Sequence, residues 1–257
     1  MQIDPDWWKF LFDDLYLVTD ARSVCNDELT CREIDLFCKL ISMAPEDCIL
    51  DLCGGHGRHS LELGRRGFVH CTVFDYSDTL LRIGGKNAKR RNLPIQFVKG
   101  DARALPFEPS AYHHVLILGN SLGYIPEQDA DRKIIRESYR TLQPSGRLLI
   151  DVTDGRTVRQ RLAPTAWHEI GPDVVVCRER EIQNHVVCAR EMVLSKKTGL
   201  VRDRTYCIRL FESSELASMV ADAGFKEIRV HKDFCPTPGD EDLGFMNHRM
   251  IVTAEKP

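Results

Sequence analysis

The chain has 257 residues, enough for one α/β domain with an insertion or for two small domains, and 43% of them are hydrophobic, which suffices for a sizeable core. With 35 basic residues against 38 acidic ones the formal net charge is −3, so no overall basic field draws in nucleic acid or an anionic membrane. No run approaches the roughly 18 apolar residues of a membrane-spanning helix.

Residues 1–9 lack the basic start and apolar run of a secretory leader. Ten cysteines are scattered without a CxxC pair, so reduced, mostly buried thiols in a cytoplasmic protein are expected. Cys53, His56 and His59 resemble a metal cluster, but they lie within a Gly-rich turn with no further ligand at zinc-site spacing, and no metal is expected. The run Lys89, Arg90, Arg91 reads as a solvated helix end.

The first forty residues read as amphipathic helix, crowded with Trp7, Trp8, Phe10, Leu11, Phe12, Leu15 and Tyr16. Thr30 and Glu33 have the spacing of a capping box before Ile34, Leu36, Phe37, Leu40 and Ile41, and Pro45 ends that helix. Strands and helices then alternate. Strands are expected at 48–53, 70–74, 95–98, 115–118 and 147–152. Helices are expected at 58–66, 78–91 and 127–142, the second weakened by Gly84 and Gly85. This rhythm implies a parallel sheet with helices on both faces. It breaks after Asp154. Period-two stretches at 167–183, 185–196 and 200–210, joined by tight turns, predict a three-stranded antiparallel insertion. A helix at 213–223 and strands at 228–234 and 248–254 close the chain. The segments divide as 1–44 (N-terminal helical lid), 45–155 (core), 156–211 (insertion) and 212–257 (return to the core).

The segment Ile49-Leu50-Asp51-Leu52-Cys53-Gly54-Gly55-His56-Gly57-Arg58 runs from a buried strand through an acid into a Gly-rich turn that opens a helix. Glycine allows a sharp turn and close approach of a ligand. Asp75 ends the second strand, 24 residues after Asp51, near the offset of about 20 at which such an acid meets ribose hydroxyls. Asp101 follows the third strand. Any one of these acids could be a helix cap or a solvated loop residue. Together they mark one rim of the sheet, where open α/β sheets bind ligands.

Over about residues 47–154 these motifs resemble a class I S-adenosylmethionine (SAM)-dependent methyltransferase, small-molecule type, and the last helix and two strands also fit. The resemblance implies an α/β, Rossmann-like, seven-stranded and mostly parallel sheet that binds SAM. It implies that Asp51 with Cys53, Gly54, Gly55 and Gly57 holds the amino-acid part of SAM. It implies that Asp75, followed by Tyr76, binds the ribose, and that Asp101 with Ala102 meets the adenine. Cys53 stands where the family usually has its first glycine, with little harm expected. Leu118-Gly119-Asn120-Ser121-Leu122-Gly123-Tyr124 resembles the strand-four motif beside the sulfonium, with Asn120 as a candidate contact. It lacks the Asn-Pro-Pro-aromatic signature of base-methylating enzymes. Tyr16 and Arg22 are candidates for the SAM carboxylate or the acceptor.

The expected partner is a small-molecule methyl acceptor, with neither nucleic acid nor membrane. The aromatic N-terminal segment and the insertion are expected to form its pocket and lid, with sheet cover or a homodimer contact as competing uses. No general base is identified; His113 and His114 read as structural, and His168, His185, His231 and His248 are the remaining histidine candidates. Two other classes compete. A non-catalytic SAM-binding regulator shares every cofactor motif. An NAD-dependent oxidoreductase lacks support because Ser60 occupies the third fingerprint glycine position.

Overall fold

The computed structural model describes residues 1–234 and 244–257. Five parallel strands are joined by helices except between the third and fourth: β1 (Cys48–Leu52), β2 (His70–Asp75), β3 (Gln96–Lys99), β4 (Tyr112–Ile117) and β5 (Leu142–Thr153). Two more, β10 (Lys226–Phe234) and β11 (Arg249–Glu255), complete a seven-stranded sheet of order β10-β11-β5-β4-β1-β2-β3. β11 runs antiparallel to both neighbours. The register pairs Asp51 with Val73 and Asp75 with Lys99, so the C-terminal ends of β1, β2 and β3 share one rim.

Helices cover both faces. On one, Ile34, Phe37 and Ile41 of α3 (Asp27–Ile41) pack with Leu63 of α4 (Arg58–Arg65) on Ile49, Leu116, Leu149 and Ile251. On the other, α6 (Ala130–Thr141) and α8 (Ser213–Asp222) bury Ile134, Ile135, Leu216 and Val220 on Leu50, Leu148, Ile150 and Val252. Near-continuous apolar strands are what a sheet covered on both faces requires.

The tertiary structure changes three local expectations. Helix α3 starts at Asp27, where the Asn26 side chain accepts from Leu29 N–H. The Thr30–Glu33 capping box therefore does not form: both residues lie inside the helix, and Glu33 is fully buried among cations. Nor is the aromatic N-terminus one helix. It is a 3₁₀ turn at Trp7–Lys9 followed by α1 (Asp14–Thr19) and α2 (Ala21–Val24). Helix α5 (Asp78–Arg90) forms as expected, through Gly84 and Gly85. The insertion has four antiparallel strands, β6 (Thr165–Ile170), β7 (Val174–Gln183), β8 (Val186–Ser195) and β9 (Gly199–Arg209), because Gly171 and Pro172 split the segment read as one strand. Gly171 adopts φ +56°, and proline has no N–H for a ladder bond. A short helix α7 (Gly155–Arg161), capped by the Asp154 carboxylate, connects the sheet to the insertion.

The insertion sheet docks on the N-terminal segment. Trp7, Trp8 and Leu11 form a buried cluster with Ala189, Tyr206 and Ile208. Val158 of α7 packs on Val187 and Leu210.

Candidate functional site

The glycine turn after β1 is anchored at both ends. Gly54 N–H donates to the Phe74 carbonyl and Gly57 N–H to the Gly54 carbonyl. Cys53, Gly55 and Gly57 have φ of +59°, +58° and +71°. The left-handed backbone at Cys53 is the conformation glycine adopts at least cost, so this cysteine carries about 1–2 kcal/mol of strain. At Gly54 an added Cβ would stand 2.7–2.9 Å from the Asp51 carboxyl atoms, so only glycine leaves room for that acid.

Asp51 is fully buried; its Oδ2 accepts from Ser60 Oγ at 2.8 Å, and its Oδ1 has no partner among the described residues. Burial pushes this carboxyl up to about 6, against the lowering effects of the Ser60 bond and Arg58. A buried acid with one unused oxygen beside a glycine turn suits a ligand ammonium group. Asp75 Oδ2 accepts from Gly55 N–H at 2.8 Å and its Oδ1 from Ser77 N–H at 2.7 Å. Burial raises it too, opposed by its backbone bonds. Asp101 differs: both oxygens accept from the Arg103 guanidinium, which holds it below the usual range. A ligand donor would share these oxygens with Arg103.

These residues border one groove, which with its open mouth encloses about 1140 Å³. That is ample for a cofactor and the reacting end of a second molecule. Asp51, Cys53, Gly54, Gly55, Asp75, Tyr76, Asp101, Ala102 and Tyr16 all line it, and Gly57 caps α4 just behind. Two candidates stand elsewhere. Arg22, on α2, acts electrostatically on His168 and does not line the groove. Asn120 does not itself line the groove: its Oδ1 accepts from Thr153 N–H and Oγ–H, tying the β4 loop to β5, while its side chain also reaches the phenol of Tyr124, which does line it. None of His113, His114, His168, His185, His231 or His248 lines the groove. His56 lines it, lowered to about 4 by burial and by Arg58, and approaches the Val24 carbonyl. His59, also lowered to about 4 by burial, bonds Glu33.

Sequence reasoning missed several lining residues. Arg58 follows Gly57 directly and so opens α4; Thr30 Oγ and the Glu33 carboxylate hold its guanidinium. Its Nη2 stands 3.8 Å from where a Cβ on Gly119 would sit. Trp8 contacts the Tyr76 ring at 4.7 Å and lies under the Arg103 guanidinium, closing one side of the groove. Its aromatic character was visible, but its partners were not. Ser77 Oγ–H donates to the Phe12 carbonyl, fastening the N-terminal segment to the rim.

A second cavity lies between the N-terminal helices and the insertion, lined by Leu11, Asp20, Glu191, Arg202, Tyr206 and Ile208 among others. Phe12, Tyr16, Gly119 and Tyr124 line both spaces. The aromatic partition is tight: Phe12 meets Tyr16 at 5.1 Å and Tyr124 at 5.2 Å, both edge-on.

Residues 49–146 match the model of a family described as a methyltransferase domain. The demethylmenaquinone methyltransferase of Listeria welshimeri is 31% identical over 115 residues, 43% of this chain and 46% of that protein. The chain thus spans about half the length of such relatives. The CcbJ methyltransferase of Streptomyces caelestis superposes with a TM-score of 0.77 at 19% identity, covering 98% of this chain and 99% of that one. An S-adenosylmethionine-dependent methyltransferase of Clostridium acetobutylicum gives 0.74 at 15% identity, covering 94% and 96%. The matched methyltransferase domain runs from β1 into β5, and with β10 and β11 completing the sheet the chain has the fold of these solved methyltransferases.

Proposed function

We propose that this chain binds SAM in the groove and directs its methyl group to a small molecule held in the second cavity. The carrying observation is the shared partition: two lined spaces, one acid-rich on the sheet rim and one under the insertion, meet at Phe12, Tyr16, Gly119 and Tyr124. A cofactor-binding regulator has no need of a second, adjoining cavity.

The donor set of the groove fits the cofactor. The unused Asp51 Oδ1 would take its ammonium group. Arg58 and Lys9 are the basic residues among those lining the groove, and Arg58, close to the turn, takes over the carboxylate role first given to Arg22. Asp75 keeps lone pairs for ribose hydroxyls beyond its two backbone bonds. Trp8, Tyr76 and Leu80 would wall the adenine side. When bound, SAM supplies an activated methyl group; the chain supplies alignment and exclusion of water. Tyr16 and Tyr124, raised above the usual phenol range by burial, stay protonated and act as hydrogen-bonding walls rather than bases.

Calorimetry with SAM, S-adenosylhomocysteine and NAD tests the cofactor step: the first two bind and NAD does not. A metabolite screen with isotopically labelled SAM and mass detection then identifies the acceptor. NAD binding without a SAM signal refutes the reading.

A further inference from the structure

We propose that the acceptor is a neutral ring compound whose N–H or O–H group donates to the Asp20 carboxylate, which Arg178 holds in place. This rests on the reading of the second cavity as the acceptor site.

Among the described residues three charged side chains line that cavity, and two of them, Glu191 and Arg202, are paired with each other and with further charged partners. Glu191 accepts from Arg202 through Oε1 at 2.6 Å and from Arg178 Nε through Oε2 at 2.7 Å. Arg202 also donates to Asp13 at 2.8 Å. Asp20 is less engaged. Among the described residues its Oδ2 carries both side-chain bonds, from Arg178 Nη2 at 2.8 Å and from Thr19 Oγ at 2.9 Å. Its side chain is 30% exposed, against 3% for Glu191. Of the cavity's two acids, Asp20 is therefore the one placed to meet a ligand.

Its position is close to the partition. Asp20 acts electrostatically on the phenols of Tyr16, Tyr124 and Tyr206, and the first two border both spaces. Tyr16 is influenced by Asp75 from the groove side as well. Asp20 N–H donates to the Tyr16 carbonyl at 3.0 Å, so an acceptor group at Asp20 lies near the partition.

Among the described residues the ion pairs beside the cavity form a closed set. Arg178, Arg202 and Arg204 face Asp13, Asp20 and Glu191 in one continuous series of ion pairs. A net charge on the ligand would enter this half-buried space without a counter-ion, which costs affinity. Most of the remaining wall is ring faces and aliphatic groups, Phe12, Tyr124 and Tyr206 with Leu11 and Ile208, and Ser23 adds a hydroxyl. Trp7 backs Tyr206 at 6.0 Å. Such walls suit the faces of a ring.

The test uses the full chain saturated with S-adenosylhomocysteine and three single-ring probes: hydroquinone, benzoate and benzylammonium, titrated by ligand-observed NMR. Hydroquinone should bind about fivefold or more tightly than either charged probe, and Asp20→Asn should weaken it about fivefold, the value of one hydrogen bond. The variant's affinity for S-adenosylhomocysteine should stay within about twofold, which also shows that it folds. Magnetisation transfer from hydroquinone to the Tyr124 and Tyr206 rings in the unmodified protein gives a readout independent of the variant. Preference for a charged probe, unchanged hydroquinone affinity in Asp20→Asn, or absence of the ring contacts overturns the proposal. Failure of the unmodified protein to bind S-adenosylhomocysteine would instead overturn the cofactor reading.

Discussion

The Asp75 carboxylate accepts the backbone N–H of Gly55 at 2.8 Å, so the acid ending β2 and the glycine turn after β1 form one hydrogen-bonded unit. Its other oxygen takes Ser77 N–H, at the start of α5. A residue expected from sequence only to meet a ligand therefore also braces the loop. Asp75→Ala should weaken SAM binding by about 1.5–3 kcal/mol. It should also destabilise the ligand-free protein by about 1 kcal/mol, since two backbone donors lose their acceptor. Calorimetry and urea unfolding on the same samples measure both; unaltered SAM affinity removes Asp75 from the site.

Asp51 sets a pH dependence. Burial raises its carboxyl from 3.8 to about 6. For an acid raised on folding, the favourable contribution is full below the unfolded value and is lost as pH rises through the folded one. The ligand-free protein is thus destabilised by the Asp51 charge above about pH 6. A bound ammonium group reverses the preference, because it pairs with the ionised form. Affinity for SAM should fall about tenfold between pH 7.5 and 5 as Asp51 takes up a proton, and Asp75, also raised, adds in the same direction. Asp51→Asn should bind weakly with a much flatter profile. A steep profile retained in that variant assigns the effect elsewhere.

Gly84 and Gly85 separate two reasons for glycine in a helix. An added Cβ at Gly84 would stand 2.5 Å from the His56 carbonyl oxygen and 2.4 Å from the Phe97 ring, because α5 packs directly on the glycine turn. At Gly85 the nearest such atom is 3.9 Å away. Gly84→Ala should destabilise by about 1–3 kcal/mol. Gly85→Ala should stabilise by roughly 0.5–1 kcal/mol, the ordinary helix-propensity gain. Thermal unfolding of the pair reads the difference, and equal shifts contradict the packing account.

Arg249 joins β5 to α3, donating to Asp151 at 2.7 Å and pairing with Glu33, all three buried. Burial alone would raise Glu33, but Arg58, Arg249 and His59 outweigh it and hold the acid well below its usual range. Arg249→Met should cost about 3–5 kcal/mol, because it leaves two buried acids with less counter-charge. The stability that Glu33 contributes is present above its unfolded value near 4.5 and is lost as pH falls through the depressed one. The Arg249→Met protein should therefore recover part of its deficit on moderate acidification, where Glu33 can protonate. Denaturant midpoints at pH 5 and pH 7.5 check this; a deficit that grows at pH 5 contradicts it.

The sequence by itself determined the alternating architecture, the rim that carries Asp51, Asp75 and Asp101, and the insertion after Asp154. Each follows from short-range facts: period-two and period-3.6 apolarity, glycines where the backbone turns left-handed, and acids at strand ends. Tertiary structure decided what depends on partners distant in the chain. Glu33 has the local spacing of a capping residue, yet the guanidinium groups of Arg58 and Arg249, 25 and 216 residues away, draw it into a buried network. Gly171 and Pro172 become a hairpin turn because β6 finds β7 as its antiparallel neighbour. Asn120 is held by β5, through Thr153, behind the wall of the groove. The second cavity exists only because helices near residue 16 and strands near residue 206 meet over the β4 loop. No local pattern encodes such a meeting, since its free energy comes from apolar surface that several separate segments bury together.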